Sequence, residues 1–235
     1  MNAAVAEPVS VDLLRRFDVP GPRYTSYPTA DRFVEAFEVE DYTQALKQRR
    51  TGAAAMALPL SLYIHIPFCE SLCYYCACNK IITRHHERAA SYLRYLSREV
   101  DLHTAQLGLG QVVSQLHLGG GSPTFMADAE LRELMAMLRR NFTLTSGGEY
   151  SIEIDPRTVD ASRLDTLAEL GFNRLSLGVQ DFDPAVQKAV HRIQPYEQVS
   201  TLIQSARQRK FSSVNVDLIY GCLLYTSDAA DERSS

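Results

Sequence analysis

At 235 residues, with 46% apolar and 22% charged side chains, the chain has the composition of an ordinary folded protein able to bury a sizeable core. A formal net charge of −4 excludes a protein that meets nucleic acid or an anionic membrane through its overall field, so an anionic ligand needs a local basic cluster. No continuous apolar run reaches the length of a signal peptide or a membrane span, so the cytoplasm is the expected compartment, and neither membrane nor nucleic acid is an expected partner.

Residues 1 to about 20 read as poorly ordered. PGPRYTSYPTA (20–30) carries three prolines and two tyrosines and reads as an extended arm with specific contacts. A helix is expected over roughly 36–50, followed by a Gly/Ala-rich linker, TGAAAMA. From there strands alternate with helices. SLYIHI (61–66), QVVSQLHL (111–118), EYSIEI (149–154), NRLSLGV (173–179) and SSVNVDLIYG (212–221) have strand patterns. Helical spacing runs through 87–107, 129–142, 162–170 and 196–210, and a further helix starts at Asp183-Pro184, an N-cap and first-turn pair. Ser162 and Asp165 resemble a capping box for the third of these, and Gly171 closes it. The alternation predicts right-handed βαβ units and a parallel sheet, open or curled into a barrel, with the site at the C-terminal strand ends. On that rim fall a cysteine loop after strand one, GGGSPT after strand two, Glu153, Gln180 and Asp217.

Four of the five cysteines, Cys69, Cys73, Cys76 and Cys78, lie within ten positions; the fifth is Cys222. In a reducing compartment they read as metal or redox ligands before disulfides. A zinc site takes two pairs of ligands across a longer spacer, and no second pair exists here. Three thiols in the spacing Cys-x3-Cys-x2-Cys can each hold one iron of a [4Fe–4S] cube, leaving the fourth iron open for a small ligand. Iron–sulfur is therefore preferred, with a zinc-stabilised structural module as the competing reading. Tyr63 and His65 share one face of strand one and lead into this loop, which makes them candidates for contact with cluster or substrate. His117 reads as an ordinary core histidine. Gly119, Gly120, Gly121 and Ser122 form a strand exit open to close approach by a ligand, but carry neither a P-loop nor a GxGxxG pattern.

The cysteine spacing after a first strand resembles the radical S-adenosylmethionine (SAM) superfamily. That resemblance implies a partial (β/α) barrel and a cluster whose open iron chelates the amine and carboxylate of SAM. An electron from the cluster then yields a 5′-deoxyadenosyl radical. GPRYTSYPTA, YIHIPFC, CACNK, LHLGGGSPT, SIEIDP, LSLGVQDF, VHRIQ and VNVDLIYG, in this order between about residues 20 and 221, narrow it to the oxygen-independent coproporphyrinogen III oxidase family. The family resemblance implies decarboxylation of two propionates of coproporphyrinogen III to vinyl groups, giving protoporphyrinogen IX. It also implies an electron donor, and a monomer is expected.

By the same resemblance Cys69, Cys73 and Cys76 ligate the cluster and Cys78 does not. Tyr63, Gly120 and Glu153 contact a cluster-bound SAM. Tyr75, Gly121, Ser122, Gln180, Arg192 and Asp217 contact a second one. Arg23, Lys80 and Arg84 are candidate partners for the carboxylates of the porphyrinogen. The expected organisation is an arm and helix over 1–57, the barrel over 58–221 and an off-family tail over 222–235. The tail, GCLLYTSDAADERSS with its preceding glycine, reads as an artefact, and only five of the six barrel strands are expected, leaving an aggregation-prone edge and an inactive chain. Haem chaperones of the same superfamily are the alternative; CACNK and the GPRYTSYPT arm favour the oxidases.

Overall fold

A computed structural model describes residues 10–17, 29–51 and 58–219. Most of the expected arm, Arg23, the linker over 52–57 and the tail lie outside the described residues. Within the stretch expected to be poorly ordered, Val11–Phe17 forms a short helix (α1) that buries no side chain. A second helix, α2, spans Val39–Thr51.

The body is a parallel sheet of five strands flanked by helices. β1 (Leu60–Ile66), β4 (Gln111–Gly120), β5 (Phe142–Ile154), β6 (Arg174–Gln180) and β7 (Ser213–Leu218) lie side by side in chain order, every neighbouring pair parallel. The crossovers contain α3 (Glu87–Leu107), α4 (Asp128–Asn141), α5 (Ala161–Glu169), and α6 (Pro184–Ala189) with α7 (Tyr196–Gln208). A strand order that never reverses is that of a barrel wall, not of a doubly wound sheet, so the expected partial barrel stands. Among the described residues no helix is long and apolar enough to cross a membrane.

Alternation along the strands separates two chemistries. Ile64 and Ile66, Leu116 and Leu118, Ile152 and Ile154, and Leu175, Leu177 and Val179 are buried on the face that receives the helices. There they meet Leu93 and Val100 of α3, Leu131, Leu134 and Leu138 of α4, Leu164 and Leu167 of α5, and Val199 and Leu202 of α7. The residues between them point to the concave face and, Gly178 apart, are polar. Tyr63 stands beside His117, His117 beside Ser151, and Glu153 beside Ser176 in the strand register. A parallel sheet is usually apolar on both faces, so this polar row marks the side that binds something.

Two details differ from the sequence reading. β5 starts directly after α4, because Phe142–Leu144 pair with Gln111–Val113 before an irregularity, although TLTSGG carries turn-like residues. At α5 the cap is Asp160, which accepts from the Arg163 amide at 2.8 Å, while Ser162 only donates to Asp160 and Asp165 pairs with Arg209. The Asp183 cap is as expected: its carboxylate accepts from the amides of Ala185 and Val186 at 2.7 and 3.1 Å. Such a cap contributes about 1 kcal/mol, so Asp183→Ala is expected to lower the thermal midpoint by about 2–4 °C in a circular-dichroism melt.

Candidate functional site

The cysteine loop is held at both ends by a small parallel pair, β2 (Phe68–Cys69) with β3 (Ile81–Ile82). The Ile81 amide donates to the Pro67 carbonyl at 2.7 Å and the Thr83 amide to the Cys69 carbonyl at 2.9 Å. Inside the loop, the Cys76 amide closes a turn onto the Cys73 carbonyl (3.1 Å), and Lys80 Nζ holds the Cys76 carbonyl (2.7 Å). All four cysteines are free thiols and line one cavity of about 530 Å³. Burial pushes the Cys69 thiol up to about 11, and the neighbouring Cys76 and Cys73 sulfurs add to the shift. Thiols that hinder each other's ionisation fit a cationic metal group, which would compensate their negative charge. Among the described residues no three Cys, His, Asp or Glu side chains close on a single ion. A cube, whose three ligands each hold a different iron, does not require that.

The opposite lip of the cavity is the exit of β4. A methyl on Gly119 would lie 2.8 Å from Glu153 Oε1, and one on Gly120 (φ +112°) 2.6 Å from the His65 ring. At Gly121 it would meet backbone, 2.7 Å from the Phe68 carbonyl oxygen. The amides of Gly121 and Ser122 donate to the carbonyls of Ile66 and Phe68 at 2.7 and 2.8 Å, which seams this exit to the start of the cysteine loop. The Gly120 amide donates to Glu153 Oε2 at 3.1 Å, so the carboxylate is aimed by the backbone it faces.

The cavity gathers the expected cluster ligands together with Tyr75, Gly120, Gly121, Ser122 and Glu153. Its far wall holds Gln180, Arg192 and Asp217, and Asp217 accepts from Ser176 Oγ at 3.1 and 3.3 Å. Lys80 and Arg84 line it too. Tyr63 and His65 lie beside this lining, not in it. His65 Nε2 donates to the Asn79 carbonyl (2.8 Å), and its Nδ1 is hydrogen-bonded to the Tyr63 hydroxyl (3.0 Å).

His117 is not the ordinary core histidine that the sequence suggests, because its side chain stands partly exposed on the polar face of the sheet. Its Nε2 faces Glu153 Oε1 (3.2 Å), its Nδ1 lies 2.5 Å from Ser151 Oγ, and its ring stacks on Tyr63 with centroids 5.7 Å apart. Asp155 and Arg157, just past β5, also line the cavity and carry no role in the sequence reading. Burial pushes the Asp155 carboxyl upward, but hydrogen bonds from Arg157 and the charges of Arg192 and Arg157 outweigh it and hold the group below its ordinary value. Arg192, 8% exposed, donates to the Gly178 carbonyl at 2.7 and 3.2 Å and pairs with Asp155 at 3.2 Å. The carboxylate it meets here is therefore one of the chain's own. The sequence signal was present in SIEIDPR, as the first charged pair beyond a strand end on the functional rim.

Comparison with known proteins agrees with this geometry. The profile of the radical SAM superfamily matches residues 63–228. The oxygen-independent coproporphyrinogen III oxidase of Pseudomonas aeruginosa is 52% identical over 220 residues, 93% of this chain and 47% of that protein. The enzyme of the same name from Escherichia coli is 48% identical over 209 residues, 89% of this chain and 44% of that protein. A solved coproporphyrinogen III oxidase from Escherichia coli, described as a radical SAM enzyme, superposes with a TM-score of 0.80 at 45% identity, covering 94% of this chain and 49% of that one. The chain spans about half the length of the curated relatives it matches. With its parallel barrel wall, its Cys69–Cys73–Cys76 loop and this match, the chain belongs to the radical SAM superfamily, which implies a [4Fe–4S] cluster and SAM.

Proposed function

We propose that the protein is an oxygen-independent coproporphyrinogen III oxidase, which converts two propionate side chains of coproporphyrinogen III to vinyl groups in porphyrin biosynthesis. The observation that carries this reading is the cysteine-lined cavity, in a chain that matches enzymes of that name over 93% of its length. An electron donor and a monomeric, cytoplasmic enzyme belong to the same reading.

Cys69, Cys73 and Cys76 would hold the cluster, leaving Cys78, the exposed member of the loop, outside the ligand set. Bound there, the cluster and SAM supply a carbon-centred radical able to abstract a hydrogen atom from the substrate. The chain's own residues position the reactants. Glu153, held by the Gly120 amide and by His117, presents its remaining lone pairs to a SAM amine or ribose hydroxyl. Asp217, Gln180 and Arg192 on the far wall, with Tyr75 of the loop and Gly121 and Ser122 of the β4 exit, form a second group of contacts around the cavity, which supports a second SAM molecule. Tyr63 and His65 form a hydrogen-bonded pair beside the cavity, a place to hold a proton near the substrate. Lys80 and Arg84 provide cationic partners for propionate carboxylates at the rim.

Two measurements test this reading. After anaerobic reconstitution, the reduced chain is expected to show a [4Fe–4S] EPR signal that shifts on adding SAM, with two SAM bound per chain in equilibrium dialysis. A chimera in which residues 58–219 replace the matching segment of the Pseudomonas aeruginosa relative is expected to form protoporphyrinogen IX anaerobically. A chimera that cleaves SAM but leaves coproporphyrinogen III unchanged would overturn the substrate assignment, and haem binding without decarboxylation would favour the chaperone alternative.

A further inference from the structure

Two arginines share one carboxylate at the edge of the cavity, and both continue from there to the cysteine loop. Asp155 accepts from Arg157 Nε at 2.9 Å and from Arg157 Nη2 at 2.6 Å, and its Oδ1 lies 3.2 Å from Arg192 Nη2. Arg157 Nη2 also donates to Ser71 Oγ at 3.2 Å, and Arg192 Nη1 to Cys73 Sγ at 3.5 Å. All three side chains are largely withdrawn from water, Asp155 at 12% exposed, Arg192 at 9% and Arg157 at 23%. The same stretch of loop is gripped from the other side: His191 Nδ1 donates to the Leu72 carbonyl (2.8 Å), the Tyr74 amide donates to the Val190 carbonyl (3.1 Å), and the Tyr74 ring stacks on His191.

We propose that Asp155 is a positioning residue for the cysteine loop: by sharing its carboxylate between Arg157 and Arg192 it fixes two guanidinium groups whose other donors hold Ser71 and the Cys73 sulfur. A planar guanidinium carries its donors in a fixed fork, so one edge fixed on Asp155 dictates where the other points. Without Asp155 two largely withdrawn cations would face each other with only the Gly178 carbonyl left on Arg192, and the hold of both guanidinium groups on the loop would weaken. Residues 71–74 are thereby set before a cluster is present, and once one is bound the Cys73 sulfur keeps an N–H donor, a contact that tunes the electronics of an iron–sulfur centre. The second half of the inference rests on the cluster assigned to this loop; the first half does not.

Amide hydrogen exchange on the cluster-free chain separates the two. In Asp155→Asn and, as a second variant on a more accessible side chain, Arg157→Gln, exchange at Tyr74 is expected to rise at least about tenfold, the effect of losing a charge-assisted hydrogen bond. Exchange in α3 is expected to stay unchanged. Asp165→Asn, which breaks the comparable pair with Arg209 away from the cavity, is expected to leave the loop unaltered. With cluster bound and no SAM added, Asp155→Asn is expected to change the line shape of the reduced EPR spectrum. Unchanged loop exchange, a rise shared equally with α3, or a spectrum identical to that of the unsubstituted chain would each overturn the proposal. A wild-type chain that takes up no cluster would instead overturn the proposed function, and the exchange result would stand.

Discussion

Replacing Cys69, Cys73 or Cys76 singly by Ala is expected to lower retained iron and acid-labile sulfide by more than about tenfold after anaerobic reconstitution and desalting, whereas Cys78→Ala retains them within about twofold. Each of the three thiols would hold a different iron, so the loss of one leaves a second iron open to water and the cube falls apart from that corner. The loop shows why the three are not interchangeable with the fourth. Cys69 is pinned by the β2–β3 pair, Cys73 is buried with an arginine donor on its sulfur, and Cys76 is braced by Lys80 on its carbonyl. Cys78 is exposed, and its thiol is raised by its partial burial, by a hydrogen bond to Cys76 and by the charges of Cys76 and Glu153. Equal loss of iron in Cys78→Ala would sink this assignment of ligands. One equivalent of zinc without sulfide would restore the zinc reading.

What the sequence reveals about this chain follows from how local each cause is. The 21 residues of α3 were legible because their apolar spacing and their boundaries both lie within the segment. The strand over Arg174–Gln180 was legible for the same reason, with buried and half-buried residues alternating along it. The early start of β5 was not, because Phe142–Leu144 become a strand only by pairing with Gln111–Val113, 31 residues away in the chain. The cysteine loop and the glycine exit announce themselves by composition. His117 and Asp155 do not, since each acquires its meaning from partners on neighbouring elements: Ser151, Glu153 and Tyr63 for one, two arginines and through them Ser71 and Cys73 for the other.

The concave face also accounts for the mixture of exposed and polar residues around the site. Tyr63, 58% exposed, and Asp217 stand on strands whose opposite faces carry buried aliphatics or pack towards α7. A position facing the helices is selected for packing, and its neighbour one residue along is free for chemistry. The period of two thus lets one short segment such as Tyr63–Ile66 serve both purposes without compromise.

Gly121→Ala is expected to cost more than about 3 kcal/mol of stability in chemical denaturation and to prevent cluster loading in whatever folded protein remains. The reason is the identity of the atoms in the way. A methyl there would lie 2.7 Å from the Phe68 carbonyl oxygen and 2.8 and 2.9 Å from the carbonyl carbon and oxygen of Pro67, all backbone, so no side-chain rotation relieves it. Relief would need β4 to part from the start of the cysteine loop, breaking the Gly121–Ile66 and Ser122–Phe68 hydrogen bonds that hold the two lips of the cavity together. Gly147→Ala is the control, because a methyl at that position meets nothing within 4 Å, and its stability is expected to change by less than about 0.5 kcal/mol. Gly120→Ala falls between them: the His65 ring in its path can turn, but φ of +112° is a strained conformation for alanine. If Gly121→Ala were as stable as Gly147→Ala and loaded its cluster normally, the two strand exits would not be in the close contact on which the geometry of the site depends.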